Sequence, residues 1–125
     1  MSRLLPATFL VALLAAAAFV GGFAPAADAH VRVKATTPKS GATVARSIRS
    51  VSVLLTGPIK RGSIRVTGPG GTVYSSGSGG RDPRNTSRLL VKLKSGLPAG
   101  RFTARWSIVA SDGHSQRGSF SFRLR

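Results

Sequence analysis

The stretch Arg101-Phe102-Thr103-Ala104-Arg105-Trp106-Ser107-Ile108-Val109 decides the fold class. Phe102, Ala104, Trp106 and Ile108 occupy every second position, and Arg101, Thr103, Arg105 and Ser107 fill the positions between them. Successive side chains of an extended strand point to opposite faces, so this period of two predicts one face in water and one in a core.

Moving outward, the same alternation recurs. Phe120, Phe122 and Leu124 share one face of the last segment, and Leu89, Val91 and Leu93 alternate with Leu90, Lys92 and Lys94 before Gly96-Leu97-Pro98-Ala99-Gly100 turns the chain. Further back, Val51, Val53 and Leu55 run up to Gly57-Pro58, and Ile64 and Val66 run up to Gly68-Pro69-Gly70-Gly71. A weaker strand follows from Thr72 to about Ser75, and Val31 and Val33 alternate with Arg32 and Lys34 ahead of the turn Pro38-Lys39-Ser40-Gly41. The stretch Ser76 to Ser87 is rich in Gly, Ser and Asn, contains Asp82-Pro83 and reads as a mobile loop. Helical periodicity is absent throughout this part of the sequence. About seven short strands separated by turn residues predict an all-β domain, an immunoglobulin-like antiparallel Greek-key β-sandwich or barrel. Its core is expected to bury Val53, Leu55, Val91, Leu93, Trp106, Ile108, Phe120 and Phe122.

The N-terminus is of another kind. Arg3 is the only charge before Asp28, an apolar run spans Leu4 to Val20, and Gly21, Gly22 and Pro25 break it ahead of Ala27-Asp28-Ala29. That layout is a secretory signal with small residues where a signal peptidase needs them, so cleavage is expected between Ala29 and His30. Residues 1–29 are then the signal peptide and 30–125 the single mature domain, exported to the periplasm, the cell envelope or the exterior. The run is short for a membrane span. With no Cys, stability must come from packing alone.

The chain carries 19 Lys and Arg against 3 acids, a net charge of +16. Such a charge predicts nonspecific attraction to anionic cell-surface polymers, nucleic acid or acidic lipid headgroups. The basic residues are spread along the sequence, many at alternate strand positions, which is the pattern of a solvated sheet face and of no specific nucleic-acid site.

Beyond residue 29 the chain has only two histidines, His30 and His114, and two acids, Asp82 and Asp112. A His at a new N-terminus offers two nitrogen donors, the α-amine and the imidazole, which can close a chelate ring on one metal. Asp112 and His114, two apart in Ser111-Asp112-Gly113-His114, point the same way if the backbone is extended, and Gly113 lets it bend. Three nitrogens and a carboxylate oxygen suit tetragonal Cu(II) better than the oxygen shells of Ca or Mg or the thiolate sites of structural zinc. With no Cys and no Met after Met1, the soft ligands that Cu(I) prefers are missing. The bland reading of Ser-Asp-Gly-His is a polar turn in which Asp accepts backbone hydrogen bonds.

These residues resemble the CopC/PcoC-type exported copper-binding proteins over nearly the whole of 30–125. Pro38-Lys39-Ser40-Gly41-Ala42 is similar to that family's Pro-x-x-Gly-Ala turn after an N-terminal His. Leu97-Pro98-Ala99-Gly100 with Phe102 and Trp106 resembles its penultimate strand, with Ala104 where Val is usual. Ser111-Asp112-Gly113-His114 and Gly118-Ser119-Phe120-Ser121-Phe122 resemble its closing segment. The resemblance implies a Greek-key sandwich that binds one Cu(II) through the amine and imidazole of His30, the carboxylate of Asp112 and the imidazole of His114. It also implies a role in copper resistance, buffering or delivery, with a membrane copper transporter of the CopD type as partner. Two departures stand out: Thr56-Gly57-Pro58 replaces a Ser-Glu-Pro motif, and no Met-rich Cu(I) site is present.

The competing readings are an oxidative copper enzyme of the N-terminal-His monooxygenase type and a basic polyanion-binding module. The enzyme would need an open coordination position, which a ligand from Asp112 fills. The module would need exposed aromatics, and Tyr74 is the main candidate for one. A Ser- or His-nucleophile hydrolase is disfavoured because no serine sits in a nucleophile-elbow motif.

Overall fold

A computed structural model describes residues 30–125. The signal peptide read over residues 1–29, and its cleavage, lie outside the described residues. Eight strands are present: β1 (Val33–Thr37), β2 (Thr43–Val44), β3 (Ser50–Leu55), β4 (Ile59–Thr67), β5 (Ser75–Asp82), β6 (Asn85–Leu93), β7 (Gly100–Ala110) and β8 (Ser115–Leu124). They form two four-stranded sheets, ordered β1-β3-β6-β5 and β2-β8-β7-β4. This is the two-sheet sandwich the alternation predicts, antiparallel except that the two-residue β2 lies parallel to β8.

The stretch that set the fold class behaves as read. In β7, Phe102, Ala104, Trp106 and Ile108 are all buried, and their neighbours face outward. Phe102 lies opposite Phe122 of β8, and their rings stack 5.7 Å apart. From the facing sheet come Val51, Val53, Leu55, Leu89 and Val91, each at most 2% exposed. Full burial of a large apolar side chain contributes about 1.5–3 kcal/mol, and this shared core is what holds a disulfide-free domain of this size together.

Four expectations need correction. Ser76 to Ser87 is no loop: it is most of β5 and the start of β6, joined by the two-residue turn Pro83-Arg84 in a register that sets Asp82 opposite Asn85. Asp82 Oδ1 accepts the Arg84 N–H at 2.9 Å, Asn85 Oδ1 accepts the Ser87 N–H at 3.0 Å, and Asp82 Oδ2 meets Arg88 at 3.5 Å. Asp82 is thereby absorbed into a structural turn. The weak strand at Thr72 to Ser75 shrinks to a single bridge between Val73 and Thr67, because here the chain crosses from one sheet to the other. Tyr74 is half-buried with its ring 5.3 Å from that of Phe102, so it is no free stacking platform. Leu93, at the end of β6, is only half-buried.

The same crossing closes one side of the sandwich. The Tyr74 N–H donates to the Val66 carbonyl at 2.8 Å and the Val66 N–H to Ser75 Oγ at 3.1 Å, which occupies the outer edge of β4 with the chain's own backbone.

Candidate metal centre

β7 and β8 are the two longest strands, and only Ser111, Asp112, Gly113 and His114 join them. The turn is fixed by its own polar groups. Gly113 donates its N–H to the Ala110 carbonyl and Ala110 donates to the His114 carbonyl, each at 2.9 Å. Ser111 donates both its N–H (3.1 Å) and its hydroxyl (3.2 Å) to the Pro58 carbonyl. Gly113 has φ +90° with open space around it, so glycine is required there for its backbone sign alone.

Asp112 ties this turn to its histidine twice. Its Oδ1 accepts the His114 N–H at 3.0 Å, and its Oδ2 lies 2.9 Å from His114 Nδ1. The backbone hydrogen bond, and after it the side-chain bond, hold the Asp112 carboxyl below the usual carboxylate range; the nearby charges of His114 and His30 act in the same direction. Both histidines and Asp112 are solvent-exposed.

His30 reaches the same end of the sandwich by a separate route. The Arg32 N–H donates to Thr56 Oγ1 and the Thr56 N–H donates to the Arg32 carbonyl, each at 2.9 Å, which pins the incoming segment along the end of β3. Val31 packs over Gly57, where an added Cβ would lie 2.8 Å from Val31 Cγ1. The outcome is a His30 ring 4.8 Å from the His114 ring, at an interplanar angle of 81°. An open depression of about 340 Å³ beside them is lined by His30, Val31, Thr56, Pro58, Ser111 and Asp112.

The three residues singled out from sequence thus stand together, but in contact with one another. Among the described residues no group of three or more His, Cys, Asp or Glu side chains is arranged as a metal-holding set. In the full-length chain the backbone nitrogen of His30 is also an amide, bonded to Ala29. Thr56 and Pro58, which stand out in the sequence only as a departure from a Ser-Glu-Pro motif, position the two halves of the site.

A family model described as CopC domain matches residues 33–125, a span that contains Asp112 and His114 and begins just after His30. Protein YobA of Escherichia coli strain K12 and of Shigella flexneri are each 23% identical over 103 residues, covering 81% of this chain and 83% of the relative. Among solved structures, CopC from Methylosinus trichosporium OB3b superposes with a TM-score of 0.64 at 20% identity, over 76% of this chain and 93% of that one. PcoC from Escherichia coli, a methionine-rich copper resistance protein, gives 0.60 at 21% identity, over 78% and 100%. At such identities the structural likeness speaks for the fold.

Proposed function

The chain belongs to the CopC domain family, and from that premise we propose that it is an exported Cu(II)-binding protein, non-enzymatic, that buffers or delivers copper through His30, Asp112 and His114. The observation that carries this reading is the meeting of His30 and His114 at 4.8 Å, with Asp112 bonded to the latter. Two imidazoles far apart in a chain that has no others, set against a carboxylate in a domain otherwise strongly basic, are the feature among the described residues that best suits a divalent cation.

Release of residues 1–29 would turn the His30 amide into an α-amine and supply the fourth donor. Cu(II) would then take the amine and imidazole of His30 as a chelate, an imidazole nitrogen of His114 and the Asp112 carboxylate. Asp112 Oδ2 lies 2.9 Å from His114 Nδ1, so taking the metal would turn the carboxylate off that nitrogen. Copper must displace protons from these nitrogens, so binding should weaken in mild acid. The proposed partner is a membrane copper transporter of the CopD type, in the periplasm or cell envelope.

The test is Cu(II) titration of three proteins: one beginning at His30, one with a single Ala ahead of it, and His114→Ala. The form beginning at His30 should bind most tightly, the extended form should lose the chelate ring, and both losses should exceed tenfold, about 1.4 kcal/mol. Equal affinity of the extended and mature forms would refute the N-terminal site.

A further inference from the structure

The basic residues that look scattered in sequence are sorted by the fold. On the outer face of the β2-β8-β7-β4 sheet the register brings together Arg61 and Arg65 of β4, Arg101 and Arg105 of β7, and Arg117 and Arg123 of β8. All six are exposed. Arg65 lies directly opposite Arg105, and Arg101 directly opposite Arg123. Like charges in directly opposed cross-strand positions oppose folding, and here this happens twice on one face.

Arg101 donates to Ser121 Oγ at 3.4 Å and Arg105 to Thr67 Oγ1 at 3.5 Å, but among the described residues no carboxylate side chain faces the six. The only acidic side chains of residues 30–125 are Asp82, buried against Arg88 in the other sheet, and Asp112, bound to His114 at the β7–β8 turn. The remaining side chains between the arginines are largely hydroxyls that bond one another, Ser63 to Ser107 at 3.1 Å and Thr103 to Ser121 at 3.2 Å. A depression of about 410 Å³ opens beside the first arginine pair, lined by Arg65, Arg105, Ser63, Ser75 and Ser78.

We propose that this face is a docking surface for the phosphate headgroups of an anionic phospholipid membrane. None of the six is a lysine, and the guanidinium fork binds phosphate in a two-point geometry that an ammonium cannot. The charges spread over three strands, about 14 Å apart along β4 and along β7 and about 5 Å across the opposed pairs, and so cover an area instead of tracking a line. A two-dimensional array of phosphates meets all of them at once. A single nucleic-acid strand would want aromatics for its bases, and the face has none; Tyr74 is turned into the core. The hydroxyls between the arginines add donors for the same oxygens.

The experiment is co-sedimentation of the protein beginning at His30 with vesicles of phosphatidylglycerol and phosphatidylcholine, or of phosphatidylcholine alone. One variant carries Arg65→Thr, Arg105→Thr, Arg101→Thr and Arg123→Thr; the control carries Lys34→Thr, Arg84→Thr, Lys92→Thr and Lys94→Thr and loses the same charge elsewhere. Threonine suits exposed strand positions, and thermal melts verify that both fold; the pair Arg65→Thr and Arg105→Thr alone serves as a milder second variant. We expect binding to the anionic vesicles only, lost about tenfold or more in the face variant, several-fold in the milder one, and clearly less in the control. Equal loss in face variant and control would reduce the effect to net charge and overturn the proposal. Preference for duplex DNA over vesicles at equal phosphate concentration would overturn it in favour of a linear polyanion.

Discussion

Gly57 shows how much a single missing side chain can decide. Its place under Val31 leaves no room for a Cβ, so Gly57→Ala should push the incoming segment, and His30 with it, away from His114. The expected loss of Cu(II) affinity is roughly threefold to tenfold, about 1 kcal/mol, with little change in melting temperature, and Val31→Ala in the same chain should restore it. Asp112 makes a second prediction. Its carboxyl is held below the usual range, so the folded turn binds that proton more weakly than the unfolded chain does. The resulting stabilisation is present above the ordinary aspartate value of about 3.9 and is lost as pH falls through the lower folded value. Urea unfolding between pH 5 and 3 should therefore show less acid sensitivity in Asp112→Asn than in the parent. These two residues also differ in what a sequence discloses. Asp112 and His114 are legible because few other residues compete for a role, whereas the need for glycine at 57 depends on Val31 packing over it, a contact that no local pattern encodes.

Among the elements, β7 and β8 were readable because apolar residues mark every second position, and β5 was not, because Ser75 to Asp82 contains no apolar side chain at all. Its strand character comes from pairing with β6, and the shift of register between Ser76 and Gly80 lets Gly77 and Gly79 pass through left-handed backbone. At Gly79 a Cβ would run into the Leu90 carbonyl, so the glycines that make the segment look like a loop are what allow it to lie against β6. Strand β8 offers a direct test. At Gly118 an added Cβ would lie 2.6 Å from the Trp106 ring, and Gly118 is paired with Trp106 across β7 and β8. Gly118→Ala should cost about 1–3 kcal/mol in urea unfolding, and because Trp106 is the only tryptophan its fluorescence reports both the unfolding and the altered packing.

At the scale of the molecule, the sandwich follows from binary pattern and turn chemistry, while the gathering of arginines on one sheet follows from register, which sequence alone leaves open. A net charge of +16 on so small a domain opposes its own compaction. Raising sodium chloride from about 10 mM to about 500 mM shortens the screening length several-fold, so the melting temperature should rise over that range, the reverse of a fold held by surface ion pairs. The meeting of the two histidines has a further consequence. After residue 29 the chain has no imidazole besides these two, and their rings stand 4.8 Å apart at one end of the sandwich. Every imidazole signal in an NMR spectrum of a protein that begins at His30 would therefore come from one corner of it, and Cu(II) bound there, as proposed, should broaden both sets at once.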